Sequence, residues 1–186
     1  MAEPLGLESR TVRVVPYDPR WPTLFEAESA RLARAVTDAG CPALTFEHIG
    51  STSVPGLAAK PILDIAAGRP SNVPASVFVR VFEDAGYIYR GESGLPGREF
   101  FRRGEARSHH LHLVELDGWH WRRYLTLRDA LRGDAVLRDA YAALKHDLAA
   151  QHPHDREAYV EGKTAFIAEV LRARGIRRDD SSSRAL

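Results

Sequence analysis

One charged residue, Asp64, interrupts the apolar segment from Ile62 to Ala67, which otherwise has the composition of a buried strand. A carboxylate that is buried without a partner is energetically costly. We therefore predict that another group pairs with Asp64 in the folded protein, and a metal ion is one candidate. The need for this partner constrains the fold more than any other local feature, because the fold must place a second polar group or an ion beside Asp64 within an otherwise apolar strand.

A turn rich in glycine and hydroxyl residues leads from the preceding strand, Thr45 to Ile49, toward this segment. Gly50 permits a positive φ and a close approach of the backbone. Successive backbone N–H groups at such a turn bind anions, and the hydroxyls that follow Gly50 add donors. An anion-binding turn followed by a strand carboxylate is typical of a metal-nucleotide site. The alternative is an ordinary β-turn beside an aspartate that pairs locally, because short motifs also arise by chance.

Length and charge restrict the class of protein. A chain of 186 residues forms one domain, or one domain with a helical appendage, and can bury a sizeable core. The net charge of +1 is no excess of positive charge that would favour binding to nucleic acid or to a membrane surface. We therefore expect the ligand to be a nucleotide or another small molecule, and we expect neither nucleic acid nor a membrane as a partner. A single cysteine, Cys41, excludes an internal disulfide and suits the cytoplasm.

Hydrophobic periodicity and turn residues predict an α+β fold, with a mixed β-sheet, flanking helices and a C-terminal three-helix subdomain. Strands are predicted at Thr11–Val15, Thr45–Ile49, Ile62–Ala67, Tyr87–Arg90, Arg98–Arg103 and His109–Val114. Helices are predicted at Arg20–Ala39, Val73–Ala85, Trp121–Arg132, Asp134–Gln151 and Arg156–Arg174. The predicted domains are a flexible leader (1–10), an α/β core (11–117), the helical subdomain (118–174) and a disordered tail (175–186).

Two histidines, His110 and His112, are two residues apart in the last predicted strand and therefore share one of its faces. Two imidazoles on one face can bind a metal ion or hydrogen-bond to a phosphate. The alternative is a polar sheet face on which the histidines are paired within the protein. Both interpretations stay open from the sequence.

Charged residues lie on or beside apolar helix faces. Arg128 and Lys163 fall within the apolar faces of their predicted helices, and Lys145 flanks the face of the helix between them. Each needs an anionic partner or must extend its charged end to solvent. Together they indicate a cleft between helices and sheet that suits a polyphosphate. Glu28, at the margin of the first helix's apolar face, is predicted to pair with a basic residue.

The motif HIGSTSVPGLAAKPILDI, which begins at His48, resembles the signature of the GrpB (UPF0157) family, which is assigned to the nucleotidyltransferase superfamily. The resemblance extends to Pro16–Trp21, His109–Leu113, Arg128–Arg132, Tyr141–Lys145 and Tyr159–Lys163. It implies a nucleotidyltransferase fold and the transfer of a nucleotidyl group to a small molecule. The residues it implies for phosphate or nucleotide binding are Gly50, Ser51, Ser53, Lys60, Arg128, Lys145 and Lys163. Asp64, His110 and His112 are the residues implied for catalysis and metal binding.

The sequence departs from the usual nucleotidyltransferase pattern at Ala66. These enzymes carry two acids two residues apart, and a third on a later strand, to hold two Mg²⁺ ions. Here Asp64 matches the first acid, but the second acid is replaced by Ala66, which cannot bind a metal. His110 and His112 lie in the region of the sequence where the third acid is expected. We therefore expect one divalent ion, Mg²⁺, Mn²⁺ or Zn²⁺, held by Asp64 and a histidine. The alternative without a metal pairs Asp64 with Lys60 or an arginine.

Two other functions fit the same residues. The chain can be a non-catalytic module that binds a nucleotide or metabolite, since it keeps the anion-binding turn but lacks the second acid. It can also be a metal-dependent enzyme of another reaction type that uses Asp64, His110 and His112.

Overall fold

A mixed five-stranded sheet forms the centre of the protein. The computed structural model describes residues 4–8 and 11–177. Its strands are β1 (Thr45–Ile49), β2 (Leu63–Arg69), β3 (Tyr87–Tyr89), β4 (Glu99–Arg103) and β5 (His109–Glu115). The spatial order is β1-β2-β5-β4-β3, with β2 and β5 parallel and the other neighbouring pairs antiparallel. The predicted α+β class is therefore confirmed.

In residues 4–8 and 11–177, six α-helices pack around this sheet: α1 (Trp21–Asp38), α2 (Ser76–Asp84), α3 (Trp119–Gly133), α4 (Ala135–Gln151), α5 (Arg156–Glu161) and α6 (Thr164–Ala173). None of the helices in the described part of the chain has the length and apolar composition to cross a membrane.

The first two helices cover one face of the sheet. Leu32 of α1 and Phe78 of α2 are fully buried against the sheet residues Ile65, Phe101 and Leu111. These three strand residues share a face because Ile65 pairs in register with Leu111, and Leu111 pairs with Phe101. This face is apolar and supplies most of the hydrophobic core.

The C-terminal helices cover the opposite face, which carries Asp64. Trp121 of α3 packs on Ile49, Ala66 and Val114. The approach is close because β2 has a glycine at position 68, where an added Cβ would lie 2.8 Å from the Trp121 ring. A larger residue at that point would push α3 away from the sheet.

The third C-terminal helix predicted at Arg156–Arg174 is in fact two helices, so the subdomain has four helices rather than three. The chain departs from α-helical geometry after Glu161, where the Lys163 N–H bonds to the Val160 carbonyl, three residues back, at 3.3 Å. Gly162 faces α4 so closely that an added Cβ would overlap the Leu148 side chain. This tertiary contact has no signal in the local sequence.

The N-terminal segments also differ from the expectation. The predicted strand at Thr11–Val15 is reduced to one bridge between Val15 and Ala59. The part of the predicted leader at residues 4–8 lies against the core: Leu7 is 4% exposed, and the Gly6 N–H donates to the Pro61 carbonyl at 2.7 Å. Residues 1–3, 9–10 and 178–186, which include most of the predicted tail, lie outside the described residues.

Candidate functional site

Asp64 has two histidine partners. Its Oδ1 lies 3.0 Å from Nδ1 of His110 and 3.4 Å from Nε2 of His112. The parallel register of β2 and β5 pairs Asp64 with His110 and Ala66 with His112, so the acid and both histidines share one face. The structure therefore brings these three predicted residues together. It pairs Asp64 with the histidines rather than with Lys60 or an arginine.

The Asp64 carboxyl is ionised in this arrangement. Burial alone would raise its pKa, but the hydrogen bonds from His110 and His112 and their charges lower it well below the usual range. Burial lowers the pKa of His112, although Asp64 acts in the opposite direction. His112 is therefore neutral near pH 7 and faces an anion.

Arg98, which the sequence analysis did not single out, determines which nitrogen of His112 carries the proton. Its Nη1 lies 3.5 Å from Nδ1 of His112. A guanidinium only donates hydrogen bonds, so Nδ1 is the acceptor and the proton sits on Nε2, which donates to Asp64. His110, in contrast, donates from Nδ1 to Asp64, and its buried Nε2 has no hydrogen-bond partner among the described residues.

The glycine turn fits closely around Asp64. Gly50 has a φ of 69°, and an added Cβ there would lie 2.6 Å from Oδ2 of Asp64. Only glycine combines this backbone with this approach. Ser53 donates its hydroxyl to the Gly50 carbonyl at 2.6 Å, so it closes the turn and does not face a ligand directly. Ser51 instead lines the adjacent cavity.

A cavity of about 170 Å³ lies between this face of the sheet and helices α3 and α4. Its lining combines Gly50, Ser51, Asp64, His112, Tyr124, Arg128 and Tyr141 with the apolar residues Ile49, Leu127 and Leu131. Ligand pockets usually measure about 300–1,000 Å³. The enclosed space therefore suits the reacting part of a ligand, whose remainder would extend outside.

Three lysines gather around two buried tyrosines, next to this cavity. The Nζ atoms of Lys60 and Lys163 lie 5.1 Å and 4.5 Å from the centre of the Tyr159 ring. Lys145, which is 1% exposed, lies 4.8 Å from the Tyr141 ring and donates to the Ala58 carbonyl. The structure thus brings all three predicted lysines together.

The charge of these lysines is compensated only in part, by Asp64, which raises the pKa of Lys60 and Lys163. Burial, with a contribution from their mutual repulsion, lowers the pKa of Lys60 and Lys145 to about 7. Burial lowers the pKa of Lys163 to about 8. Within the described ranges, none of the three forms an ion pair with a carboxylate. They are also the chain's only lysines among 26 basic residues, a sequence signal that would have distinguished them from the arginines.

Arg128, predicted to bind phosphate, is already neutralised. Its Nη1 lies 2.6 Å from Oε2 of Glu47, and its Nε lies 2.7 Å from Oδ1 of Asp129. Glu47 pairs in register with Ala66 and therefore shares the face of Asp64. It is thus a carboxylate close to the place of the missing second acid. Sequence reasoning missed it because it belongs to the preceding strand.

These residues do not fit a two-metal centre. Oδ1 of Asp64 accepts from both histidines, position 66 is an alanine, and Arg128 holds Glu47. Over residues 4–8 and 11–177, no group of three or more His, Cys, Asp or Glu side chains is arranged to hold a metal ion. A single ion held by Asp64 and a histidine stays a prediction, and His110 or His112 would have to turn from Oδ1 of Asp64 in order to become a ligand.

The mixed sheet, with its Gly-Ser turn before the strand that carries Asp64, is similar to the fold of nucleotidyltransferase structures. The chain resembles the crystal structure of the Cid1 poly(U) polymerase in its MgGTP-bound form, with a TM-score of 0.54 and 16% identity, over 74% of this chain and 44% of that chain. At a sequence identity of 16%, this similarity is evidence for a shared fold and not for a shared activity.

The chain belongs to the GrpB family, since the sequence model of that family, described as GrpB protein, matches residues 11–173. The crystal structure of the conserved protein GrpB from Enterococcus faecalis is similar, with a TM-score of 0.77 and 36% identity, over 87% of this chain and 96% of that chain. UPF0157 protein YqkA of Bacillus subtilis (strain 168) is 37% identical over 159 residues, 85% of this chain. This chain spans 46% of that relative's length.

Proposed function

We propose that the chain binds a nucleotide, or a similar phosphorylated small molecule, between the sheet and the C-terminal helices, and transfers a nucleotidyl group to a small-molecule acceptor. The cluster of Lys60, Lys145 and Lys163 beside the glycine turn carries this proposal. Buried cations without anionic partners are costly, and a polyphosphate would supply the missing charge. The MgGTP bound to the Cid1 structure supports a nucleotide as the ligand.

Each site residue takes a role that follows from its contacts. The backbone of Gly50 and the hydroxyl of Ser51 face the phosphates, while Ser53 keeps the turn closed. Asp64 holds both histidines in place. His110, rather than His112, is assigned as the proton acceptor for the attacking hydroxyl, because its Nε2 has no hydrogen-bond partner among the described residues while both nitrogens of His112 are engaged.

A metal ion has a limited part in this proposal. A single Mg²⁺ or Mn²⁺ ion, or Zn²⁺ if imidazole takes part, would screen the charge of the bound phosphates. Oδ2 of Asp64 is the protein oxygen left available to it, because Oδ1 accepts from the histidines. No step of the proposed reaction depends on a second ion.

A thermal-shift panel of nucleoside triphosphates and monophosphates, with and without Mg²⁺, Mn²⁺ and Zn²⁺, tests the binding. A ligand of the native state raises the melting temperature by mass action. We expect triphosphates to stabilise the wild type and Lys163→Gln to lose most of that stabilisation. Arg138→Gln, which removes an α4 arginine paired only with Asp139, is the control and should respond as the wild type does. A wild type that responds to no triphosphate would contradict the proposal.

A second candidate function is nucleotide binding without transfer. It is favoured by Ala66, together with the engagement of Glu47 by Arg128, since neither position offers a free carboxylate. The release of pyrophosphate separates the two functions. If the wild-type protein binds a triphosphate and releases pyrophosphate when a pool of small-molecule acceptors is added, it is a transferase. If it binds the triphosphate but releases no pyrophosphate with any acceptor, it is a binding module.

A further inference from the structure

The cavity between the sheet and α3 has an apolar wall that phosphate binding does not explain. Tyr124, Leu127 and Leu131 lie on one face of α3, because they are three and four residues apart, and all of them line the cavity. Ile49 at the end of β1 and Tyr141 of α4 complete this wall. Aliphatic and aromatic side chains therefore form most of the surface that an occupant of the cavity would contact.

The charged side chains of the lining are already engaged. Asp64 accepts hydrogen bonds from both histidines at Oδ1, and Arg128 forms ion pairs with Glu47 and Asp129. His112, also part of the lining, is neutral and has both nitrogens occupied. A charged occupant would lose its hydration in the cavity and would find no unpaired side-chain charge in return. The lining therefore favours an uncharged group.

One polar atom of the lining is available to the occupant. The Tyr124 hydroxyl is buried, and it has no hydrogen-bond partner among the described residues. Of the ten residues that line the cavity, all of them described, Tyr124 is the one with such an atom. A buried hydroxyl without a partner is costly, and an oxygen or nitrogen atom of a ligand would satisfy it. The expected occupant is thus largely apolar and carries one hydrogen-bonding atom.

The lysine cluster adjoins this cavity but does not line it. Tyr141 lines the cavity and also contacts Lys145, whose Nζ lies 4.8 Å from the centre of its ring. Lys60, Lys145 and Lys163, which all lie in the described part of the chain, are not among the lining residues. Phosphates that span the lysines and the glycine turn therefore leave the apolar space beside Asp64 to a second molecule.

The volume of the cavity matches a single small ring. A cavity of about 150 Å³ lined by aliphatic and aromatic side chains is large enough to bind benzene. The cavity in this protein measures about 170 Å³. A nucleoside joins a base to a ribose and needs considerably more space, so the enclosed volume suits one end of a small molecule.

We propose that this cavity binds the acceptor, and that the acceptor presents to it an uncharged, largely apolar group of about one ring, which hydrogen-bonds to Tyr124. This inference rests on the proposed function and names the chemical class of its acceptor. The two substrates are then recognised by different means. Positive charge and the glycine turn bind the nucleotide's phosphates, whereas apolar contact and the Tyr124 hydroxyl select the acceptor.

NMR titrations of three single-ring probes into the full chain, with and without saturating α,β-methylene-ATP, test the assignment. Benzyl alcohol is uncharged, whereas benzoate and benzylammonium carry a charge on a similar frame. We expect benzyl alcohol to bind and both charged probes to bind about tenfold more weakly or less, because the cavity removes their hydration without compensation. No binding of benzyl alcohol, or equal or tighter binding of a charged probe, would overturn the assignment.

Two variants with matched controls locate the probe. Leu127→Trp fills the cavity from α3 and should abolish the binding of benzyl alcohol, whereas Val136→Trp, at a position of α4 that is 82% exposed, should bind it as the wild type does. Tyr124→Phe removes one hydroxyl and should weaken binding by about threefold to tenfold, the usual effect of one hydrogen bond. Tyr89→Phe is its control, because the Tyr89 hydroxyl bonds to Glu99 outside the cavity lining. Since the Tyr124 hydroxyl has no partner among the described residues, Tyr124→Phe should melt no lower than the wild type.

The outcomes separate the acceptor site from the nucleotide site. If adenosine or α,β-methylene-ATP displaces benzyl alcohol, the cavity belongs to the nucleotide and the inference fails. If Leu127→Trp binds benzyl alcohol as tightly as the wild type, the probe lies elsewhere and the cavity is not the acceptor site. Unchanged binding in Tyr124→Phe overturns the role of Tyr124. If no triphosphate binds, but benzyl alcohol binds and Leu127→Trp abolishes that binding, the proposed function fails while the uncharged ligand class of the cavity stands.

Discussion

At the scale of single residues, Gly50 and Asp64 constrain one another, because the glycine turn passes over the carboxylate with no room for a side chain. Gly50→Ala places a methyl group 2.6 Å from Oδ2 of Asp64 and forces a positive φ on a non-glycine residue. We expect a loss of about 2–4 kcal/mol of unfolding free energy from strain and overlap. The displaced carboxylate should also abolish stabilisation by nucleotides, as measured by urea unfolding with and without triphosphate.

Gly56→Ala provides the matched control for this prediction. Gly56 also has a positive φ, 77°, but an added Cβ meets no atom within 4 Å. Both variants place a non-glycine residue at a positive φ, and only the variant at Gly50 overlaps Asp64. Equal losses of stability with unchanged nucleotide binding in both would show that the approach to Asp64 has no functional consequence.

The sequence predicts the part of this site that follows from the two-residue periodicity of a single strand. It does not predict contacts between residues of different strands. The shared face of His110 and His112 follows from their spacing, and the need of Asp64 for a partner follows from its apolar surroundings. Glu47 belongs to another strand, and it joins the face only through the strand order and register. Arg98 lies just before β4, and its contact with His112 likewise depends on tertiary structure.

At the scale of elements, the closeness of α3 to the sheet depends on Gly68. An added Cβ there would lie 2.7 Å from a Leu116 methyl carbon and 2.8 Å from the Trp121 ring. We expect Gly68→Ala to move α3 outward and to cost about 1–3 kcal/mol of unfolding free energy through overpacking. Because α3 also lines the cavity, nucleotide stabilisation should weaken in the same variant.

Chemical denaturation of Gly68→Ala beside Gly133→Ala checks this prediction. Gly133 ends the same helix, and an added Cβ there meets nothing within 4 Å. Its replacement should leave stability unchanged or slightly raised, since alanine favours the helix. Similar behaviour of both variants would mean that α3 adjusts to the extra methyl group without cost.

Element boundaries were predicted well where local signals determine them. The first helix was expected at Arg20–Ala39 and lies at Trp21–Asp38, and the expected basic partner of Glu28 is present as Arg31 and Arg103. The division at Gly162 was missed, because it arises from the contact of that glycine with Leu148 on another helix. Helix propensity carries no information on such a neighbour.

At the scale of the whole molecule, the net charge of +1 conceals an uneven distribution. Carboxylates such as Glu28 pair with arginines on the α1 side of the sheet, whereas the lysine cluster forms no ion pair among the described residues and has only the more distant charge of Asp64 acting on it. The net charge is a sum over both regions. It therefore excludes a strong electrostatic field around the whole molecule, but it does not exclude a local site that binds an anion. The lysines come together only when the C-terminal helices pack beside the sheet, because Lys145 is on α4 and Lys163 directly precedes α6.

This distribution predicts an unusual dependence of stability on pH. In the ligand-free protein burial lowers the pKa of Lys60 and Lys145 to about 7 and that of Lys163 to about 8, against 10.5 for an ordinary lysine. Between these values the unfolded chain binds more protons than the folded protein, so the free energy of unfolding rises with pH. Urea unfolding between pH 7 and pH 9 should show this increase, and Lys145→Met should show less of it.

Sulfate should reverse the trend, because it binds the protonated lysines and does not itself titrate in this range. Its stabilisation of the folded protein should be largest at pH 7 and should decline toward pH 9, as the lysines lose the protons that attract it. Arg80→Gln should follow the wild type at every pH, since Arg80 lies outside the cluster and pairs with Asp84. If sulfate stabilised the protein equally at pH 7 and pH 9, the lysines would not be the groups that bind it, and the phosphate role proposed for them would fall.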